Sequence, residues 1–171
     1  MRKLIAAADI VIEASRPRAL RQLGVDAAVL VEQKPGKLWL RLMAYGADEN
    51  RIGFGDDIGV AAGLCSIMEK SWGEPVFAGD AIADPVSGIF GALAAWSQWR
   101  VGGGCLINLS MRDTLRRAMQ MDEATKDWSA IASQWQGLAE SDNGSMYPVR
   151  TASGETETSD KSTKAVMEEL C

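Results

Sequence analysis

At 171 residues the chain is long enough for one compact domain with a real core and too short to suggest two. Its 47% apolar and 24% charged residues are ordinary for a folded chain, but the net charge of −5 is uneven: residues 1–121 hold 14 basic against 13 acidic side chains, residues 122–171 only 4 against 10. The absence of histidine excludes histidine catalysis, histidine-ligated zinc and histidine pH switches, and without a long basic stripe nucleic acid is not an expected partner.

Cys65, Cys105 and Cys171 show no paired spacing, which favours a reducing compartment, the cytoplasm. Cys65 and Cys105 sit in apolar surroundings and are expected to be inert core thiols. The opening "MRKLIAAADIVIEAS" has the basic start of a signal peptide, but Asp9 and Glu13 interrupt its apolar stretch, so a leader is not expected. Nothing is long and apolar enough to span a membrane, so no membrane partner is expected.

Residues 2–8 read as the end of a short helix, and "DIVIEA" (9–14) as a buried strand. "SRPRALRQLG" follows as a helix, with Pro17 suited to its start and Gly24 to its stop; Arg16, Arg18 and Arg21 form a local cluster able to hold a small anion. "VDAAVLVEQ" reads as another short helix capped by Asp26, and a turn leads to a strand at 37–43. Strand, helices, strand implies an α/β unit with parallel pairing. "GADENRIGFG" is a loop, and 56–69 a helix with Asp56 or Asp57 as its cap; the two carboxylates read as caps or solvated groups, not a metal pair. "KSWGEP" is a loop and "VFAGDAIA" extended, which leaves Asp80 and Asp84 no common site and makes Asp80 structural.

A long apolar helix spans 85–101, with Trp96 and Trp99 on one face as expected core packing. The glycines at 102–104 lack the strand-to-helix context of a dinucleotide fingerprint and read as a helix-to-strand turn. "CLINLS" (105–110) reads as a buried strand and "MRDTLRRAMQM" as a helix with Arg116 and Arg117 exposed. Thus residues 1–121 form the expected α/β core. Residues 122–171 form a polar connection and a final helix that docks through Val166, Met167 and Leu170.

Asp84-Pro85 stands at the mouth of the long helix and has two readings. Asp is among the best N-cap residues and Pro suits a first helical turn, so the pair is a complete structural solution. The same unpaired amides and helix dipole favour an anion there, and a carboxylate free of full capping can attack an activated carbonyl such as a thioester. Gly88 and Gly91 would let a backbone or ligand come close.

Taken together, "ADIVIEASRPRALRQLGVD", "FGDDIGVAAGL" and "GDAIADPVSGIFGALAAWSQWRVGGGCLINLSMRD" resemble, in spaced order, blocks of the class III CoA-transferases, the CaiB/BaiF family. The likeness runs over residues 8–115, with an echo in "ETSDKSTKAVMEEL". It implies a partial Rossmann-like unit of mostly parallel strands with flanking helices. It also implies acyl-CoA chemistry, in which Asp84 attacks the thioester and passes through acyl-aspartyl anhydride and aspartyl-CoA intermediates. Tyr45 and Met111 match positions lining the family's CoA site, and Ser15 and Leu23 fall where other CoA contacts lie. Ala14-Ser15 replaces the family's Asn-Phe, Met43 a lysine, and Gln22 a basic residue that the adjacent Arg21 can substitute. Where racemases of the family carry a catalytic histidine this chain has Asp56, which leaves the transferase branch. The resemblance further implies a strongly truncated member, coenzyme A as substrate with no tightly bound cofactor or metal, acyl-CoA or CoA as partner, and a homodimer or higher homo-oligomer. A second class of function stays open beside it: a non-catalytic binding or oligomerisation module of the same fold.

Overall fold

Leu38, Leu40 and Leu42 alternate with Trp39, Arg41 and Met43 along one strand, and because strand side chains alternate between faces this pattern gives the sheet two distinct sides. The computed structural model describes residues 1–15 and 19–121, with isolated positions at 130, 133, 137 and 168. In chain order the elements are α1 (Arg2–Ala7), β1 (Ile10–Glu13), α2 (Ala19–Gln22), α3 (Ala27–Gln33), β2 (Leu38–Met43), α4 (Gly55–Ala62), α5 (Leu64–Trp72), α6 (Ala83–Arg100), β3 (Cys105–Ser110) and α7 (Met111–Gln120). The three strands form one sheet in the order β1-β2-β3, both pairs parallel, with Ile10 opposite Leu38 and Leu38 opposite Cys105. Parallel neighbours need long crossovers, and the helices between successive strands supply them. The fold is the expected α/β arrangement of parallel strands and flanking helices.

Helices cover both faces of the sheet. On one, Trp39 is fully buried with Val25, Ala27 and Val31, and Ile5 and Leu20 close around them. On the other, Leu38 and Leu40 meet Ala95 of α6, with Ile107 and Leu109 of β3 alongside. A third cluster of Ile58, Ala62, Ala83 and Leu115 joins α4, α6 and α7. Local chemistry sets the ends. The Asp26 carboxylate accepts from Ala28 N (3.0 Å) and Val29 N (3.4 Å), as its cap reading required. Ser110 Oγ accepts from Asp113 N (3.2 Å), so β3 turns directly into α7. Lys37 is buried, and its Nζ donates to the carbonyls of Ile5 (2.6 Å) and Ala8, satisfying the last turn of α1.

Several expectations change in the fold. β1 and β3 are the sheet edges rather than buried strands: Ile10 and Ile12 are exposed and β3 is only half-buried, because α6 lies over β2 and β3 and leaves β1 uncovered on that side. The single helix expected over 56–69 is two, divided where Gly63 takes φ +95°. The stretch before α6 is not extended to its end, since Asp80–Ile82 turn into the helix two residues earlier than expected. α6 buries its small residues, Ala83, Ser87, Gly91 and Ala95, not its large ones. A Cβ on Gly91 would stand 3.2 Å from Leu40 Cδ2, so the helix lies close to the sheet along this stripe. Trp96 and Trp99 are therefore not core residues; they stack on each other at 5.6 Å between ring centroids on the exposed side. Cys65 and Cys105 are half-buried rather than core. Arg16, Pro17, Arg18 and the proposed C-terminal helix contacts lie outside the described residues.

Candidate functional site

The three parallel strands end side by side at Glu13, Met43 and Ser110, and the residues that follow each end wall a cleft of ≈ 510 Å³. Ala14 and Ser15 come from β1, Ala44 from β2 and Met111 from β3; the 49–54 loop and the first turns of α6 complete it. The carboxyl ends of strands are where open parallel sheets place their ligands, and this volume falls within the span of small-molecule sites.

Asp84 enters the cleft from α6. The helix starts at Ala83, with Ile82 in the cap position offering no side-chain bond, so Asp84 is inside the first turn instead of tying off its amides. Its carboxylate is exposed on the cleft wall, and no donor among the described residues hydrogen-bonds it. The preceding turn explains this orientation. Ala81 takes φ +47°, the one non-glycine positive φ among the described residues, and strain of this kind persists only where neighbours enforce it. Asp56 Oδ1 accepts from Ala81 N (2.8 Å), and Ala81 O accepts from Asp84 N (2.9 Å). Asp56 is thus neither a cap nor a free solvated carboxylate; the Asp57 carboxylate takes the capping role, accepting from Phe54 N (2.6 Å). Gly55 leaves room for the arrangement, since a Cβ there would overlap the Asp84 carboxylate and stand 2.5 Å from Ala81 O.

Ser15 and Met111 reach the cleft with Asp84. Ser15 is held by a buried group: its hydroxyl donates to Glu13 Oε1 (2.8 Å), while Trp39 Nε1 (2.9 Å) and Arg41 Nε (3.1 Å) donate to Oε2. Those donors allow a carboxylate only 5% exposed to remain inside the protein. Tyr45 stands behind the wall in the α4–α7 cluster, with the Arg51 guanidinium 3.9 Å and that of Arg112 5.7 Å from its ring centre. Both arginines pair with Glu49, at 2.7 and 3.4 Å. Arg112 also bonds Asp113, which holds the Asp113 carboxyl below the usual carboxylate range, helped by the Ser110 hydroxyl. Arg21 lies in the last turn of α2 and Leu23 just after it, and neither lines this cleft.

The sequence reading missed Arg51, the one cation among the described residues lining the cleft, and Ser87, whose buried hydroxyl has no partner among them. Arg51 lies in a loop of turn-forming residues that carries no local sign of a cleft. Ser87 is one small residue in an apolar helix, and nothing local marks it.

A parallel α/β unit with an open carboxylate at the carboxyl ends of its strands is the class of structure these features define. The chain belongs to CoA-transferase family III, whose profile matches residues 1–168. It is 30% identical over 125 residues to the succinyl-CoA–L-malate CoA-transferase alpha subunit of Chloroflexus aurantiacus, covering 68% of this chain and 29% of that one. It is 31% identical over 118 residues to an acyl-CoA transferase of Fusarium pseudograminearum, covering 65% and 26%. Among solved structures, the hypothetical protein Rv3272 of Mycobacterium tuberculosis superposes with a TM-score of 0.60 at 26% identity, over 72% of this chain and 37% of that one. A CaiB/BaiF family protein from Brucella suis shares the fold at TM-score 0.55 and 22% identity, over 88% and 38%. The chain therefore spans less than a third of the curated relatives' length.

Proposed function

We propose that the chain moves coenzyme A between an acyl-CoA and a carboxylic acid, with Asp84 as the covalent carrier. The observation that carries this reading is the Asp84 carboxylate: it faces a cleft and caps no amide of its own helix. In the first step an Asp84 oxygen bonds to the thioester carbonyl carbon, the C–S bond breaks, and CoA leaves as thiolate from an acyl-aspartyl anhydride. The thiolate then attacks the Asp84 carbonyl carbon, releasing the first acid and leaving an aspartyl-CoA thioester. An acceptor carboxylate attacks that thioester and releases CoA thiolate again. This thiolate attacks the acceptor's acyl carbon in the mixed anhydride, giving the new acyl-CoA and freeing Asp84.

Ser15 and Met111 line the path to Asp84, and Arg51 gives the cleft a cation for CoA phosphate or substrate carboxylate, with Tyr45 bracing it. The name of the Chloroflexus relative, a transferase between two such acids, supports the reaction class. Coenzyme A is the substrate of this reaction. Ile89, Leu93 and Trp96 form an exposed apolar face on α6, which supports a homo-oligomeric assembly.

A binding or oligomerisation module is the second reading, favoured by Met43 at the family's lysine position and by Arg21 and Leu23 standing away from the cleft. Mass spectrometry after incubation with acyl-CoA separates the two. The proposal expects a hydroxylamine-sensitive adduct on Asp84 that Asp84→Ala abolishes. No adduct, with no CoA binding by calorimetry, leaves the module.

A further inference from the structure

Ser87 is 2% exposed, and its Oγ is the one buried side-chain polar atom among the described residues with no hydrogen-bond partner. A helical serine ordinarily satisfies its hydroxyl on the carbonyl one turn back, here Ala83, and this one does not. Proteins rarely leave such a group orphaned, because water is lost and nothing replaces it. The place is not arbitrary. Ser87 follows Asp84 by three residues, which sets both on one side of α6, and both line the cleft. The cleft is open at the next residue, since a Cβ on Gly88 would meet nothing within 4 Å.

The other donors of the cleft are occupied or peripheral. The Ser15 hydroxyl is held by Glu13, Arg51 pairs with Glu49, and Asn50 is exposed at the rim. We propose that Ser87 is a catalytic residue that donates its hydroxyl hydrogen bond to the acyl oxygen of the thioester as Asp84 attacks; this rests on the acyl-transfer reading above. As the Asp84 oxygen bonds to the carbonyl carbon, the C=O π pair moves onto the acyl oxygen, where Ser87 Oγ–H stabilises the negative charge. Collapse of that oxyanion re-forms C=O and expels CoA thiolate. Ser87 keeps its proton throughout. A buried donor short of a ground-state partner is the arrangement that favours charge appearing only in the transition state.

The test pairs stability with chemistry in S87A. A hydroxyl that serves only packing gives a variant whose acylation rate is that of the wild type. The proposal expects single-turnover acylation of Asp84 to slow on the order of 100-fold, with acyl-CoA affinity little changed and a melting temperature equal to or above wild type. A second readout needs no turnover: the infrared carbonyl stretch of a ¹³C-labelled ketone analogue, acyl-CoA with methylene in place of the thioester sulfur. Its stretch should rise in frequency in S87A as the hydrogen bond is lost. Equal acylation rates, or an unchanged stretch, overturn the assignment while leaving Asp84 as carrier. If the wild type forms no adduct, the Asp84 reading fails by itself and the stretch alone decides for or against Ser87. Failure of the wild type to bind the analogue overturns both.

Discussion

Gly55→Ala adds one methyl group where α4 passes the mouth of α6. The new Cβ would stand 2.5 Å from Ala81 O and 2.6 Å from Ala81 Cα, and would overlap the Asp84 carboxylate. Ordinary contact between carbons begins near 3.5 Å, so the 81–84 turn must retreat by about 1 Å. It has little freedom to do so, because Asp56 holds Ala81 N and Asp84 N holds Ala81 O. Forcing a methylene into such a site costs about 1–3 kcal/mol, while exchanging glycine for alanine in a helix returns at most about 1 kcal/mol. The net expectation is a loss of about 1–2 kcal/mol, read as a lower urea midpoint at unchanged m-value. Acylation of Asp84 should fall by about 100-fold, since a displacement of that size removes the attack geometry. Gly88→Ala is the control: the same chemical change, made where a Cβ meets nothing within 4 Å, should raise stability by up to about 1 kcal/mol. Gly55→Ala with wild-type stability and acylation would refute the reasoning, because it would show that α4 and the Asp84 turn do not share this space.

Three further outcomes follow from the same contacts. Asp56→Ala should cost about 1–2 kcal/mol by releasing Ala81 N, whereas Asp56→Asn, which keeps an acceptor oxygen, should recover most of it in urea titrations. Glu13→Ala leaves Trp39 Nε1 and Arg41 without their buried acceptor and should cost about 3 kcal/mol by circular dichroism in urea, with Glu13→Gln milder. Burial pushes the Lys37 ammonium below the ordinary lysine pKa, with Lys34 adding repulsion and Asp9 opposing. The folded chain therefore releases this proton before the unfolded chain does, so stability should rise with pH from the folded pKa toward about 10.4, a slope that Lys37→Met should remove from stability–pH curves.

The elements that a local signal marks could be read from the sequence, and those that depend on a distant partner could not. Asp26 and Gly24 bracket the entry to α3 within a few residues, and the 102–104 glycines announce β3, so the sequence places both nearly to the residue. Nothing in "DIVIEA" says that α6 covers β2 and β3 but not β1, so Ile10 and Ile12 read as buried and are exposed. The α6 pattern misled for a related reason. Hydrophobic spacing gives weight to Ile89, Leu93 and Trp96, but the sheet selects the small stripe, because Leu40 and Leu42 already fill the space that a larger side chain on the helix would need. The two readings of Asp84 could be written from its residue type and place. Which one holds depends on a left-handed Ala81 and a carboxylate at Asp56, 25 residues away from it. Arg51 is held at the cleft by Tyr45 and by Glu49, and Glu49 also reaches Arg112, 63 residues on.

Packing and site placement in α6 have one cause. Residues four apart lie nearly above one another on a helix, so Ala83, Ser87, Gly91 and Ala95 make a narrow flat stripe. Because Gly91 has no side chain, that stripe rests against Leu40 and Leu42, which brings the axis of α6 close over β2. A helix pressed against the sheet that far along must bring its first turn to where the strands end. There Ala83 seals the α4–α7 cluster, while Asp84, the next residue along, turns outward into the cleft. Ser87, one turn later on the stripe, is buried by the same close approach that leaves its hydroxyl without a partner among the described residues. A bulkier residue at 91 would give the helix more apolar surface and lift it from the sheet. It would move the carboxylate and the hydroxyl together, which is why the stripe of small residues, and not the large apolar ones, is turned inward.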